Sequence, residues 1–117
     1  MQTTIINGQE YKVVTKKRNI KKVTLIHFTD PGHGWLKVPK RVMRALHKQF
    51  SIKDRISVYS KTRGDFVYLE QDRDAGYILS KLDRFGVKIN IHERHTNKQS
   101  KIRSYNFYKD SDVIGDV

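Results

Sequence analysis

The chain has 117 residues, with 24 Lys and Arg against 12 Asp and Glu, for a formal charge of +12. That length holds one domain around one modest core, and the absence of cysteine excludes disulfide frameworks, cysteine-ligated metals and thiol catalysis. No apolar run approaches a membrane span, and residues 1–20 lack the basic-then-apolar layout of a signal peptide, so a soluble cytoplasmic protein is expected.

In chain order, residues 11–15 are β-branched and aromatic and predict a short strand. Residues 16–22 form a basic turn or arm. Residues 23–29, VTLIHFT, predict a second strand, apolar nearly throughout and expected to be buried on both faces. The turn DPGHG follows, then a third strand over residues 35–38. Pro39 opens a helix, where its missing N–H costs nothing. Val42, Met43, Leu46 and Phe50 form its apolar stripe, while Lys40, Arg41, Arg44 and Lys48 occupy another face. Residues 56–60 and 66–70 alternate and flank KTRGD, a hairpin with a glycine-containing loop. Asp72 is placed as the N-cap of a second helix, with Asp74 in its first turn. Ala75, Ile78, Leu79, Leu82 and Phe85 face inward there, and Gly86 closes the helix. Residues 87–94 predict a last strand with Val87, Ile89 and Ile91 on one face. Residues 95–117 form a less regular tail in which Lys and Arg alternate with Tyr105, Phe107 and Tyr108. The order β-β-β-α-β-β-α-β predicts a single α+β domain over residues 1–117, with a mainly antiparallel sheet and two helices on one face.

The charge is the strongest functional signal. A strongly basic small domain suits a polyanion, because phosphate attraction dominates non-specific affinity for nucleic acid. The basic residues cluster: Lys16, Lys17, Arg18, Lys21 and Lys22 lie in a stretch without acids, and Lys40, Arg41, Arg44 and Lys48 follow on the first helix. No acid shares that helix face, so intrahelical ion pairs do not account for it. Acids gather later, at Asp65 to Asp83 and near the C-terminus, which predicts one positive side and one less positive. Arg103 and Tyr105 in the tail combine phosphate contact with base stacking. The alternative for the tail is a clasp that packs at least one of Tyr105, Phe107 and Tyr108 on the sheet.

His33 and Trp35 sit in a glycine-rich turn whose backbone permits close approach, and they are candidate partner-binding residues. Asp30 and Pro31 fit an ordinary turn. His27, Asp30, His33, His92 and His95 do not match any strong metal or acid–base spacing, and neither a phosphate-binding loop nor a nucleophile elbow is present. No catalytic residue, metal or cofactor is assigned.

Two resemblances carry further expectations. Residues 35–70 resemble the AbrB-type swapped-hairpin DNA-binding module: Leu36-Lys37-Val38-Pro39 as strand and helix start, Val42 and Leu46 as helix core, residues 51–55 as connection, and Val58-Tyr59 with Val67-Tyr68-Leu69 as hairpin. The connection departs from that family's Leu-Gly-Ile and Gly-Asp pattern. The resemblance implies an interlocked dimer presenting Arg or Lys to DNA. Across most of its length the chain also resembles small proteins carried by bacteriophages and other mobile elements. HFTDPGHGW, Val38-Pro39, residues 67–70 and residues 102–105 carry that likeness. It implies action inside a bacterial host cell, and no established activity comes with it.

The reading that follows is a non-enzymatic basic protein, monomer or homodimer, that binds nucleic acid or a host nucleoprotein and modulates a host process. The alternatives are a protein-directed inhibitor engaging an acidic host surface, and a small nuclease or hydrolase using His27, His33 or His92.

Overall fold

The structure is a computed structural model that describes residues 22–115 in full and residues 3–6 and 9–12 as backbone. Strands β1 (Thr3–Ile6) and β2 (Gln9–Lys12) pair antiparallel as a separate two-stranded sheet. The strand expected over residues 11–15 overlaps β2 at its first two positions, and the rest lies outside the described residues.

The main sheet has six strands in the order β7-β3-β4-β6-β5-β8. Strand β3 (Lys22–Thr29) pairs antiparallel with β4 (Gly34–Pro39). β4 pairs antiparallel with β6 (Phe66–Glu70), which pairs with β5 (Lys61–Arg63). β5 then pairs with the two-residue β8 (Asn106–Phe107). At the other edge β7 (Lys88–His95) runs parallel to β3 over its whole length. The α+β expectation is right in class, but the sheet is mixed. β7 comes back after a helix, and a helical crossover returns a strand parallel to its neighbour.

Helices α1 (Lys40–Phe50), α2 (Gly76–Arg84) and the short α3 (Asp110–Val113) pack on one face. Their Val42, Met43, Leu46, Ile78, Leu82 and Val113 meet Val23, Leu25, Leu36, Val38, Val67 and Leu69 from the strands. β3 is therefore buried on one face only: Val23 and Leu25 are buried, while Lys22 and Thr24 are exposed. The period-2 pattern is real but hidden, because Ile26 and Phe28 occupy the opposite face with partial burial.

Local chemistry explains the boundaries. Pro39 is the last residue of β4 and the residue before α1, with extended φ −60° and ψ 142°. It precedes the helix instead of opening it. The helix ends where Ser51 turns left-handed and His47 Nδ1 accepts from the Ile52 N–H at 3.1 Å. The hairpin is tighter than expected and shifted along the chain. Only Gly64 and Asp65 separate the paired Arg63 and Phe66, and the positive φ of Gly64 (57°) permits the turn.

Residues 56–60 are not a strand. Their polar groups are captured by the buried Asp74, which accepts from Ser57 Oγ at 2.6 Å and Ser60 Oγ at 2.5 Å. Asp72 is not the helix cap either. Glu70 caps instead, accepting from the Asp72 N–H at 2.9 Å, and a π-helical turn over Gln71–Ala75 leads into α2. Gly86 closes α2 as expected, with φ 83°.

Candidate functional site

Because side chains alternate across a strand, the positions opposite the helices can be read from the register. One row runs across the sheet as His92, Ile26, Lys37, Tyr68, Lys61 and Phe107. The next runs as Arg94, Phe28, Trp35 and Glu70, and Lys22 with Lys88, and Phe66 with Arg63, share the same face. Glu70 is the only carboxylate among these strand positions, and it is buried.

The aromatic members hold one another in place. Trp35, Tyr68 and Ile102 form a second apolar cluster with Phe28, Phe66 and Tyr105 around it. Ile102 and Tyr105 come from the tail, whose 3₁₀ turn (Lys101–Ser104) crosses this face. The rings of Tyr68 and Tyr105 stand edge to face with centroids 5.0 Å apart. Burial pushes the Tyr68 hydroxyl pKa up. Cations lie over several of these rings: Lys37 over Phe66 at 4.1 Å, Lys61 over Phe107 at 4.0 Å, and Arg63 over Tyr105 at 5.0 Å.

Asp30 locks the tail down. Its carboxylate accepts from Arg103 Nε at 2.7 Å and Nη2 at 2.9 Å, a bidentate pair. It also accepts from the backbone N–H groups of Gly32, His33 and Ser100. The Arg103 guanidinium and these amides hold the Asp30 carboxyl far below the usual carboxylate range, and Asp30 in turn raises the Arg103 pKa.

A cleft of about 540 Å³ opens on this side of the molecule, lined by His33, Trp35, Tyr59, Lys61, Glu70, Asp72, Arg73, Arg103 and Phe107. The indole of Trp35 is buried, and its Nε1–H has no acceptor among the described residues. Arg73 lies over the Tyr59 ring at 4.2 Å. Among the described residues neither Lys61 nor Arg73 is paired with a carboxylate, whereas Arg103 is spent on Asp30.

The expected site residues are divided by the fold. His33, Trp35 and Arg103 meet at the cleft, and Tyr105 packs beside it. Arg103 is a structural anchor first. Lys22 lies on the helix-free face, near the outer edge of the sheet. Lys40, Arg41, Arg44 and Lys48 lie on α1, in the opposite layer, and Arg44 donates to the Val113 carbonyl at 3.1 Å. Lys16, Lys17, Arg18 and Lys21 lie outside the described residues. Among the described residues positive charge thus occupies two surfaces, where one positive side is expected from the sequence. Sequence reasoning missed Lys61, Arg63, Arg73 and Tyr59; it has Phe107 only within the tail's mixture of cations and rings, and Lys37 only as one of a run of basic residues. Strand alternation alone places Lys37 with Trp35, and that signal was available.

The histidines are dispersed. His27 bonds Glu93 at 3.1 Å and Gln71 at 2.8 Å. Gly34 leaves room for that contact, since a Cβ there would strike the Gln71 amide. His95 bonds Thr29 and Asn97. His33 stands 3.9 Å from Glu70. Among the described residues no group of three or more His, Asp or Glu side chains is arranged to hold a metal ion. No helix among them is long and apolar enough to cross a membrane.

Of the hairpin named in the swapped-hairpin resemblance, Val67-Tyr68-Leu69 lie in β6 but Val58-Tyr59 lie in a turn before β5, and β6 pairs with β4 of the same chain. Comparison with protein-family models, curated proteins and solved structures gives no match.

Proposed function

We propose that the protein binds nucleic acid through the helix-free face of its main sheet. The observation that carries this reading is the composition of that face: Lys22, Lys37, Lys61, Arg63, Lys88 and Arg94 surround Phe28, Phe66 and Phe107, with one buried carboxylate among the strand positions. Alkyl stems and rings make a firm surface, and ammonium and guanidinium groups above it meet phosphates. Three acids on this side, Asp30, Glu70 and Asp74, are buried, while Asp72 is exposed at the cleft. A nucleoprotein would be recognised through the same surface, and so would the host process implied by the phage-type resemblance.

The test is a fluorescence-anisotropy titration with labelled oligonucleotides at several salt concentrations. Affinity is expected to fall with salt, by about 0.7–0.9 log units per log unit of salt for each phosphate contact. Reversing charge at Lys37, Lys61, Arg63 and Arg94 (each→Glu) is expected to weaken binding roughly tenfold or more. Reversing Arg41 and Lys48, on the opposite layer, is expected to change it by less than about threefold, because solvent and salt screen charges at that distance. No binding at low salt would remove the reading in favour of an acidic protein partner. A larger effect from the helix pair would move the site to α1.

A further inference from the structure

We infer that the nucleic acid taken by this face is single-stranded, with unpaired bases stacked on Tyr59 and Phe107 at the mouth of the cleft. This rests on the sheet face being a nucleic-acid surface, and it adds which form of the polymer fits.

Large aromatic side chains are normally buried, yet Tyr59 is 54% and Phe107 62% exposed, and both line one cleft. Neither position is an accident of a loose loop. Tyr59 stands next to Ser60, which is fully buried: its hydroxyl donates to Asp74 and accepts from the Glu70 N–H at 2.9 Å. Phe107 is the strand residue paired with Lys61, and its neighbour Tyr108 is buried, with its N–H bonded to the Ser60 carbonyl at 2.9 Å. The two exposed rings are thus each one residue away from a backbone group fixed at the same buried serine. A rigid backbone holding two rings in solvent is a prepared surface for a flat partner.

Each ring has a cation at one face, Arg73 on Tyr59 and Lys61 on Phe107. The cation steadies the ring and leaves the other face for a base.

The rest of the cleft favours a base over a phosphate. Asp72, exposed at the cleft, presents a carboxylate, which repels a phosphate and accepts from the amino and imino groups of a base edge. A duplex hides its base faces and cannot use the rings at all, whereas a single strand splays bases onto them.

The probe is a labelled oligothymidylate of about a dozen nucleotides, a length suited to a site of this class. It is compared with a duplex of equal length in the same buffer. Single strand is expected to bind roughly tenfold or more tightly, and Tyr59→Ala or Phe107→Ala to lose roughly tenfold of single-strand affinity each. Duplex binding and the salt slope should stay unchanged in those variants, because no phosphate contact is removed. Tyr59→Phe and Phe107→Tyr should retain single-strand affinity, since both keep a ring. Both residues are exposed, so the alanine variants fold, which circular dichroism checks. Equal binding of both polymers, with the alanine variants indistinguishable from wild type, overturns the inference and leaves the sheet-face reading standing. Loss of all binding by the unaltered protein removes both.

Discussion

Two buried carboxylates organise the residues around the cleft, and their removal has different consequences. Asp74 is 3% exposed and accepts from the Ser57 N–H and from both serine hydroxyls. Asp74→Ala leaves Ser60 buried with one partner lost and frees the segment that carries Tyr59. A cost of about 3 kcal/mol in urea unfolding is expected, the size of a broken buried polar network. Asp30 ties the DPGHGW turn to the tail through Arg103 and Ser100. Its folded-state pKa is depressed, so its stabilisation is complete above the unfolded value near 4 and fades as pH falls below it. Asp30→Asn should therefore lower the unfolding midpoint by a constant amount from pH 7 to about pH 5, with the gap to wild type closing below about pH 4. A gap that widens on acidification would contradict the depressed carboxyl. Turn chemistry made Asp30 legible as a structural residue, but nothing local announces Arg103 as its partner. Asp74 was legible only as a charge at a helix start. Its serines lie a loop and a hairpin earlier, and periodicity is blind to that distance.

At the level of elements, α1 was the most legible because its amphipathic period is unbroken. Val42, Met43 and Leu46 are fully buried and the cationic side is outward. Leu46→Ala should cost about 3 kcal/mol by chemical denaturation, since a closed core collapses little around the missing atoms. The hairpin was legible in kind and wrong in place. Residues 56–60 alternate apolar and polar like a strand, yet Val58 is 62% exposed and the serines are pulled toward Asp74. Three residues, KTR, form the actual strand, too short a run to show a period. The last strand was found, but its partner was not, because pairing is settled by the path of the chain and not by strand composition. The tail also resolves by burial: Tyr108 is inside, Tyr105 is half covered against Tyr68, and Phe107 is left in solvent. The clasp and the stacking surface are thus different residues of one segment.

For the whole molecule, composition announced the surplus of cations but not how two layers would share it. One layer carries Arg41 and Lys48 on the outside of α1. The other carries the lysine and arginine rows of the sheet. Both combine charge with aromatic rings, since Lys81 and Arg84 lie over Phe50 in the helix layer, but the cleft with the exposed Tyr59 and Phe107 opens beside the second, and the paired charge reversals distinguish a general attraction for polyanions from a site there. The layers also differ in when they are completed. β4 covers one edge of β3 as soon as the β3–β4 hairpin closes, but the other edge receives β7 only after α1 and α2 have been made. During synthesis, therefore, Leu25 and its neighbours present an unguarded strand edge to whatever else emerges nearby. The nascent chain depends on prompt arrival of its own distal segment, or on a chaperone, to avoid joining edge to edge with its siblings on a polysome.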